Sequence, residues 1–146
     1  MWRRFQRLTL VDWCLLIEAV FALAGARFAL ARFRFRKIAA YLGTMGVESA
    51  LVIPPMQNKM ARQIGWAIQV LARRAPWARH CLAQALAAHW MTRRRAIPGT
   101  VYLGVARDPE KPFTAHAWLR CGATWVTGGV ARASFQVLTR FGQSER

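Results

Sequence analysis

Three cysteines and three histidines are the side chains best suited to nucleophilic or acid–base chemistry in this chain of 146 residues. The cysteines, Cys14, Cys81 and Cys121, stand far apart, and no CxxC pair occurs. An odd number of cysteines without paired spacing argues against a disulfide framework and favours a reducing, cytoplasmic setting. One thiol could then act as a catalytic nucleophile, provided that the fold brings a histidine to it.

Cys81 stands where a helix is predicted to begin. Pro76 ends the preceding helical run, and apolar spacing predicts a new helix from Cys81 to about Arg95. Unpaired N–H groups and the helix dipole favour a thiolate in such an opening turn, and they could also bind an oxyanion. Most free cysteines are small core residues, so the position alone does not decide. Gln84, one turn later, could donate to a substrate carbonyl, although a plain polar residue on a helix face is commoner.

His116 lies in a region whose pattern alternates, as in strands. After Pro98-Gly99 the spacing predicts an antiparallel meander with strands at Val101 to Ala106, Thr114 to Arg120 and Thr124 to Thr127. Alternation places His116 and Trp118 on one face of the second strand and small alanines on the other, which lets another element approach closely. A strand histidine can be an ordinary core residue. The combination of a cysteine at a helix start and a later strand histidine is what indicates acyl transfer through a thiol.

The first half of the chain reads as helical from about Leu8 to Arg73. Breakers interrupt it at Gly43, at Gly46 and at Ile53-Pro54-Pro55. The N-terminus imitates a secretion signal, but Asp12 and Glu18 interrupt the apolar stretch, so a buried helix is the better prediction than a cleaved signal or a membrane span. We therefore expect an α+β fold in one domain, 1–146, with a helical part, 1–75, packed on a catalytic core, 76–146.

The net charge of the chain favours an anionic partner but does not identify which one. Lys and Arg number 22 against 6 Asp and Glu, which gives a formal net charge of +16. Such a charge attracts nucleic acid, lipid head groups or an acidic peptide. The alternation of arginine and phenylalanine from Arg32 to Lys37 best supports the rival function, a non-enzymatic basic protein that binds nucleic acid or a membrane surface. A peripheral membrane contact is therefore open, and the expected location is cytoplasmic or membrane-associated.

Four segments together resemble one family. They are His80-Cys81-Leu82-Ala83-Gln84-Ala85-Leu86-Ala87, Arg93-Arg94-Arg95-Ala96-Ile97-Pro98, Tyr102-Leu103-Gly104-Val105-Ala106 and Ala115-His116-Ala117-Trp118-Leu119. From about Arg73 to Phe141 the chain is similar to the peptidase domain of lasso-peptide maturation B proteins, within the wider transglutaminase-like superfamily. The resemblance implies a papain-like cysteine peptidase that removes the leader from a lasso precursor, with Cys81 as nucleophile and His116 as base.

The resemblance also implies partners. These are the lasso precursor peptide, a separate winged-helix protein that recognises the leader, and an asparagine-synthetase-like cyclase that closes the macrolactam ring. No cofactor is expected. Cys81, His89, His116 and Cys121 could in principle bind zinc, but their spacings match none of the usual paired patterns.

One departure from the superfamily affects the third catalytic role. An Asp usually follows on the strand after the histidine and holds the imidazole in the correct tautomer. This chain reads Trp125-Val126-Thr127-Gly128-Gly129 there, and no carboxylate follows His116 until Glu145. The Thr127 hydroxyl, a backbone carbonyl near Gly128 or a residue from elsewhere could take the role. Asp108 is expected to be a solvated loop residue.

Overall fold

A computed structural model describes residues 7–106, 115–129 and 135–142. In these residues four α-helices accompany one antiparallel sheet of five strands, which confirms the predicted α+β class. The helices are α1 (Leu10–Arg32), α2 (Phe35–Leu42), α3 (Pro55–Arg74) and α4 (Cys81–Arg94), with a 3₁₀ turn at Pro76–Ala78. The strands are β1 (Thr44–Met45), β2 (Thr100–Ala106), β3 (Ala115–Cys121), β4 (Thr124–Thr127) and β5 (Phe135–Gly142).

The sheet has the order β1-β5-β2-β3-β4, so β2 and β3 lie inside it. Gly104 of β2 is paired with His116 of β3, and a bulge interrupts the pairing of β2 with β5 between Leu103 and Gly104. The three strands predicted from alternation are confirmed, although the loop at Asp108 and the first residue of the predicted second strand, Thr114, lie outside the described residues.

The prediction that Leu8 to Arg73 is wholly helical is wrong at β1. Thr44 and Met45 pair with Gly142 and Phe141 of β5, so the N-terminal half contributes a strand to the sheet. The strand is only two residues long, and its pairing partner follows about a hundred residues later. No local pattern distinguishes such a segment from a loop, because its hydrogen bonds are supplied by distant residues.

The arginine–phenylalanine stretch also differs from the prediction of one continuous run. Helix α1 ends at Arg32, Phe33 and Arg34 have extended backbones, and α2 starts at Phe35. At its other end α1 begins with a capping box, in which the Thr9 hydroxyl accepts from the Asp12 N–H and the Asp12 carboxylate accepts from the Thr9 N–H. Asp12 is thereby used as a cap rather than as a break in an apolar helix.

Helix α1 packs against α3 and α4, and one face of it enters the core. Glu18 on this helix binds Arg95 at 2.6 Å and Arg94 at 3.3 Å, which ties α1 to the end of α4. These ion pairs hold the pKa of the Glu18 carboxyl below its usual value, chiefly through the hydrogen bond from Arg95 and against the effect of burial.

Among the described helices, α1 alone is long and apolar enough to cross a membrane by length and composition. However, 33 % of its apolar window is buried inside the fold, and core helices and signal sequences near an N-terminus meet the same criterion. Its contacts with α3 and α4 place one face of α1 in the core of this domain.

Candidate active site

Cys81 is the first residue of α4, as the sequence predicts. His80 caps this helix, because its Nδ1 accepts a hydrogen bond from the Ala83 N–H at 3.3 Å. In the described part of the chain, the N–H groups of Cys81 and Leu82 have no backbone partner. The thiol therefore lies beside two donors that are free to bind an oxyanion.

The start of α4 meets β3 at the residue that precedes the histidine. The Cys81 Sγ donates to the carbonyl oxygen of Ala115 at 3.9 Å. Cys81 and His116 both line one cavity of about 470 Å³, whose other residues are Phe35, His80, Leu82, Leu103, Gly104, Val105, Ala115, Ala117, Leu138 and Thr139. The thiol and the imidazole are thus neighbours through the Ala115–His116 peptide, and the hydrogen bond of the thiol goes to that peptide rather than to the ring.

The imidazole of His116 is held between two aromatic rings. It stacks on Phe135 at 4.8 Å and on Trp118 at 5.7 Å between ring centroids. Burial lowers the pKa of His116, and a hydrogen bond with the backbone of Gly128 opposes this only in part. A lowered pKa keeps the ring neutral near pH 7, which is the state that a general base requires.

Gly128 lies directly against the ring. A Cβ placed on Gly128 would be 2.9 Å from the Nε2 of His116 and 2.8 Å from the Cβ of Trp118. Nε2 is buried and lacks a side-chain or backbone partner at full hydrogen-bond geometry within residues 7–106, 115–129 and 135–142. The His116 ring makes a hydrogen bond with the backbone of Gly128, and a backbone carbonyl near Gly128 is one of the acceptors that the sequence offered.

The other two candidate residues make bonds inside the fold. The Thr127 hydroxyl accepts from the Leu119 N–H at 3.2 Å and is buried in the β3–β4 pair. Gln84 donates its amide to the carbonyl of Ala78 at 2.9 Å, which fixes the 3₁₀ turn before α4. Both bonds give these side chains a structural role. That Thr127 orients His116 and that Gln84 donates to a substrate carbonyl both stay predictions.

The remaining thiols and the buried histidine lie elsewhere. Cys121 is buried against α4, and burial raises the pKa of its thiol to about 12. Cys14 is exposed on α1. His89 is buried edge-on to Tyr41, and burial lowers its pKa to about 4. Nowhere in the residues that the structure describes do three His, Cys, Asp or Glu side chains come together as a metal site would require.

Comparison with protein families gives a match to the model of the transglutaminase-like superfamily over residues 22–140. The chain belongs to the transglutaminase-like superfamily. Its members are commonly cysteine-peptidase-like. Searches among curated proteins and among solved structures found no match. The matched range begins inside α1, so the family region includes most of the helical half as well as the sheet.

Three contacts of the α4 start and of His116 were missed, or only partly predicted, from the sequence. Phe135 stacks on His116 from a strand that the sequence analysis did not predict. His80 acts as a helix cap through its Nδ1 atom. Gly128 fills the space beside Nε2 with backbone alone. Only Gly128 had a signal in the sequence, because it lies in the segment where the superfamily usually has its Asp.

Proposed function

We propose that this protein is a cysteine peptidase that removes the leader peptide from a lasso-peptide precursor, with Cys81 as nucleophile and His116 as general base. The observation that carries the proposal is the contact of the α4 start with β3. It puts the Cys81 thiol on the carbonyl of Ala115, one residue before His116, in a cavity that both residues line. Membership of a superfamily that is commonly cysteine-peptidase-like supports this chemistry.

The proposed reaction has two stages. His116 takes the thiol proton, the Cys81 sulfur attacks the last carbonyl carbon of the leader, and the tetrahedral oxyanion is bound by the N–H groups of Cys81 and Leu82. The scissile C–N bond then breaks, and His116 gives its proton to the leaving amine. In the second stage His116 takes a proton from water, and the hydroxide releases the leader as a free carboxylic acid and restores the thiol.

Charge beside the cavity supports a peptide substrate with acidic residues. Phe35 lines the cavity, and its exposed neighbours Arg34, Arg36 and Lys37 extend a row of positive charge from it. Such a row attracts an acidic leader, or the acidic surface of a protein that holds it, at long range. In this proposal a separate winged-helix protein delivers the leader, and an asparagine-synthetase-like cyclase takes the freed core peptide.

The test is the identity of the products. The purified protein is incubated with a precursor peptide and its leader-recognition protein, with and without a primary amine at millimolar concentration. The masses of the products are then measured by mass spectrometry. We expect a leader that ends in a free carboxylate and a core peptide with a free amino terminus. A leader that carries the added amine would instead indicate transfer, and the absence of any thioester on Cys81 after rapid acid quenching of a slow substrate would contradict the covalent mechanism.

A further inference from the structure

Helix α1 is apolar on the side that faces away from the core as well as on the side that faces it. The core side includes Leu15, Ala19, Leu23 and Ala26, each buried. On the opposite side a second row recurs every three to seven residues, and its members are exposed: Leu10 81 %, Trp13 47 %, Ile17 56 %, Phe21 72 % and Phe28 64 %. We call this row the α1 outer stripe. At 1.5 Å per residue it is about 27 Å long.

The α1 outer stripe is unusual for a domain that stays in water. Scattered apolar side chains on a surface need no explanation, but a continuous row of large ones marks a surface that binds a partner or a membrane. Phe21 also borders an apolar groove of about 490 Å³ between α1, α2 and α4. The exposed apolar surface therefore continues from the stripe into a concave region.

The charged side chains at the C-terminal end of the stripe, from Arg27 to Lys37, are all cationic. The two acids of α1 are engaged elsewhere, since Asp12 caps the helix and Glu18 is paired with Arg95. At the C-terminal end of the stripe stands a set of exposed cationic side chains: Arg27, Arg32, Arg34, Arg36 and Lys37. A row of apolar side chains that ends in a cationic cluster is complementary to an anionic lipid surface, where acyl chains receive the apolar row and head groups pair with the cations.

We infer that the α1 outer stripe is a docking surface for an anionic lipid bilayer, on which α1 lies in the plane of the head groups while its other face stays in the core. Two observations favour a bilayer over a second copy or nucleic acid. A second copy would bring its own cationic cluster and a net charge of +16 to the contact, and nucleic acid would leave the apolar row without a partner. This surface is separate from the thiol cavity, so its function does not depend on the peptidase activity.

The experiment is co-sedimentation of the whole protein with vesicles at 0.1 M salt. One set contains phosphatidylcholine with phosphatidylglycerol and the other phosphatidylcholine alone. We expect binding to the anionic set and at least tenfold weaker binding to the neutral set, as loss of several cation–lipid contacts implies. The test variant is Phe21→Glu with Phe28→Glu, and we expect it to bind the anionic vesicles at least tenfold more weakly than wild type.

The matched control carries the same change elsewhere on the surface. Leu51→Glu with Val52→Glu replaces two side chains that are 68 % and 85 % exposed in the segment before α3. It changes the net charge and the exposed apolar surface in the same way as the test variant. We expect its binding to anionic vesicles to stay within threefold of wild type. Circular dichroism and thermal unfolding check that both variants fold.

Three outcomes would overturn the proposal. The first is equal loss in both variants, which would show that total charge alone controls binding. The second is wild-type binding that survives alkaline carbonate extraction, because α1 would then be inserted rather than lying at the surface. The third is no vesicle binding together with sedimentation of wild type as a dimer that Phe21→Glu with Phe28→Glu dissociates, which would identify a second copy as the occupant.

Discussion

The molecule has two groups of one cysteine and one histidine each. Cys81 and His116 lie at the start of α4, and Cys121 and His89 lie in the core further along the same helix. Cys81 and His116 line a cavity, and each is only partly buried. Cys121 and His89 are closed inside the packing of α4 with β3 and α2, where burial raises the pKa of the thiol to about 12 and lowers that of the imidazole to about 4. The same two residue types thus occur once beside a cavity and once inside the packed core.

The difference shows that the position of a cysteine or histidine on its helix or strand, rather than its residue type, decides which chemistry is open to it. Cys81 begins a helix and has free N–H donors beside it, whereas Cys121 ends a central strand and is surrounded by side chains. His116 directly follows Ala115, whose carbonyl accepts from the Cys81 thiol. His89 lies two turns after Cys81 on α4, and its ring packs on Tyr41. The buried pair therefore supplies internal controls for the cavity pair.

The largest expected difference is in cleavage of the precursor. Cys81→Ala should lower the rate at least about 1,000-fold, because it removes the nucleophile of a covalent mechanism. Cys121→Ala removes a thiol of the same chain and should leave the rate within about threefold, once thermal unfolding shows that the variant is folded. Rates are measured by mass spectrometry with the leader-recognition protein present. Cleavage by Cys81→Ala at the wild-type rate would refute the assignment of the site.

A smaller difference is expected in thiol alkylation. In a Cys14→Ser background, which removes the exposed third thiol, iodoacetamide should modify Cys81 at least about 100-fold faster than Cys121 at pH 7.5. The reason is that Cys121 is buried and, with a pKa of about 12, has almost no thiolate at this pH. Peptide mapping by mass spectrometry gives both rates in one sample, and denatured protein supplies the reference in which the two should become similar. Comparable rates in the folded state would show that the contrast between the two sites is wrong.

The sequence predicted the parts of this fold whose causes are local. The start of α4 at Cys81 follows from Pro76 and the apolar spacing after it, and β3 with His116 follows from strict alternation. Gly122, where φ is +57°, lies in the turn between the second and third of the predicted strands. These features depend on neighbours within a few positions, so a single sequence contains the information.

The features that were missed depend on contacts between distant residues. Strand β1 exists because Thr44 and Met45 meet β5. The ring of Phe135 reaches His116 only because β5 pairs with β2 next to β3. Whether Thr127 or the Gly128 backbone faces the imidazole depends on the pairing of β3 with β4, which is irregular between Leu119 and Arg120. The third catalytic role could therefore be narrowed to a segment from the sequence but not to an atom.

The buried histidine should make stability depend on pH. His89 has a pKa of about 4 in the folded state against 6.5 in the unfolded state, so the unfolded chain binds the extra proton between these values. Stability should then fall as pH is lowered from 6.5 to 4, by about 3 kcal/mol from this group. The lowered pKa of His116 acts in the same direction, and Glu18, whose pKa is lowered from 4.5, adds a further loss at more acidic pH.

His89→Leu isolates that contribution. Urea unfolding of this variant should show a shallower decline of the unfolding free energy between pH 6.5 and 4 than wild type. Met91→Leu is the matched control, since Met91 is also fully buried on α4 and does not titrate. The slope with pH is the readout, so a constant change in stability from repacking does not matter. An unchanged slope in His89→Leu would show that this histidine is not buried in its neutral form.

The smallest expected effect tests how the cavity histidine is held. Gly128→Ala adds a Cβ that would lie 2.9 Å from Nε2 of His116, so the ring must shift within its aromatic stack. We expect about tenfold slower precursor cleavage, because a general base that moves by a few tenths of an ångström loses alignment with the thiol. Gly46→Ala is the matched control for the backbone. Gly46 also has a left-handed backbone, with φ of +83° against +68° at Gly128, but the space around its Cβ position is open. A loss of activity in Gly128→Ala alone therefore cannot come from the left-handed backbone.

Both glycine variants incur a similar backbone cost of about 1 kcal/mol. Gly128→Ala should lose more stability, because its Cβ would also lie 2.8 Å from the Cβ of Trp118. The cleavage rates are therefore compared only after thermal unfolding shows that both variants are folded, and we expect only Gly128→Ala to slow cleavage. Equal cleavage rates in the two variants would mean that the imidazole is not oriented through Gly128. The base would then have to be held by the stack of Phe135 and Trp118 alone, and Phe135→Leu would become the variant that slows the reaction. The pair of glycines thus tests whether the Gly128 backbone or the aromatic stack holds His116, in place of the Asp that the superfamily usually has on the strand after the histidine.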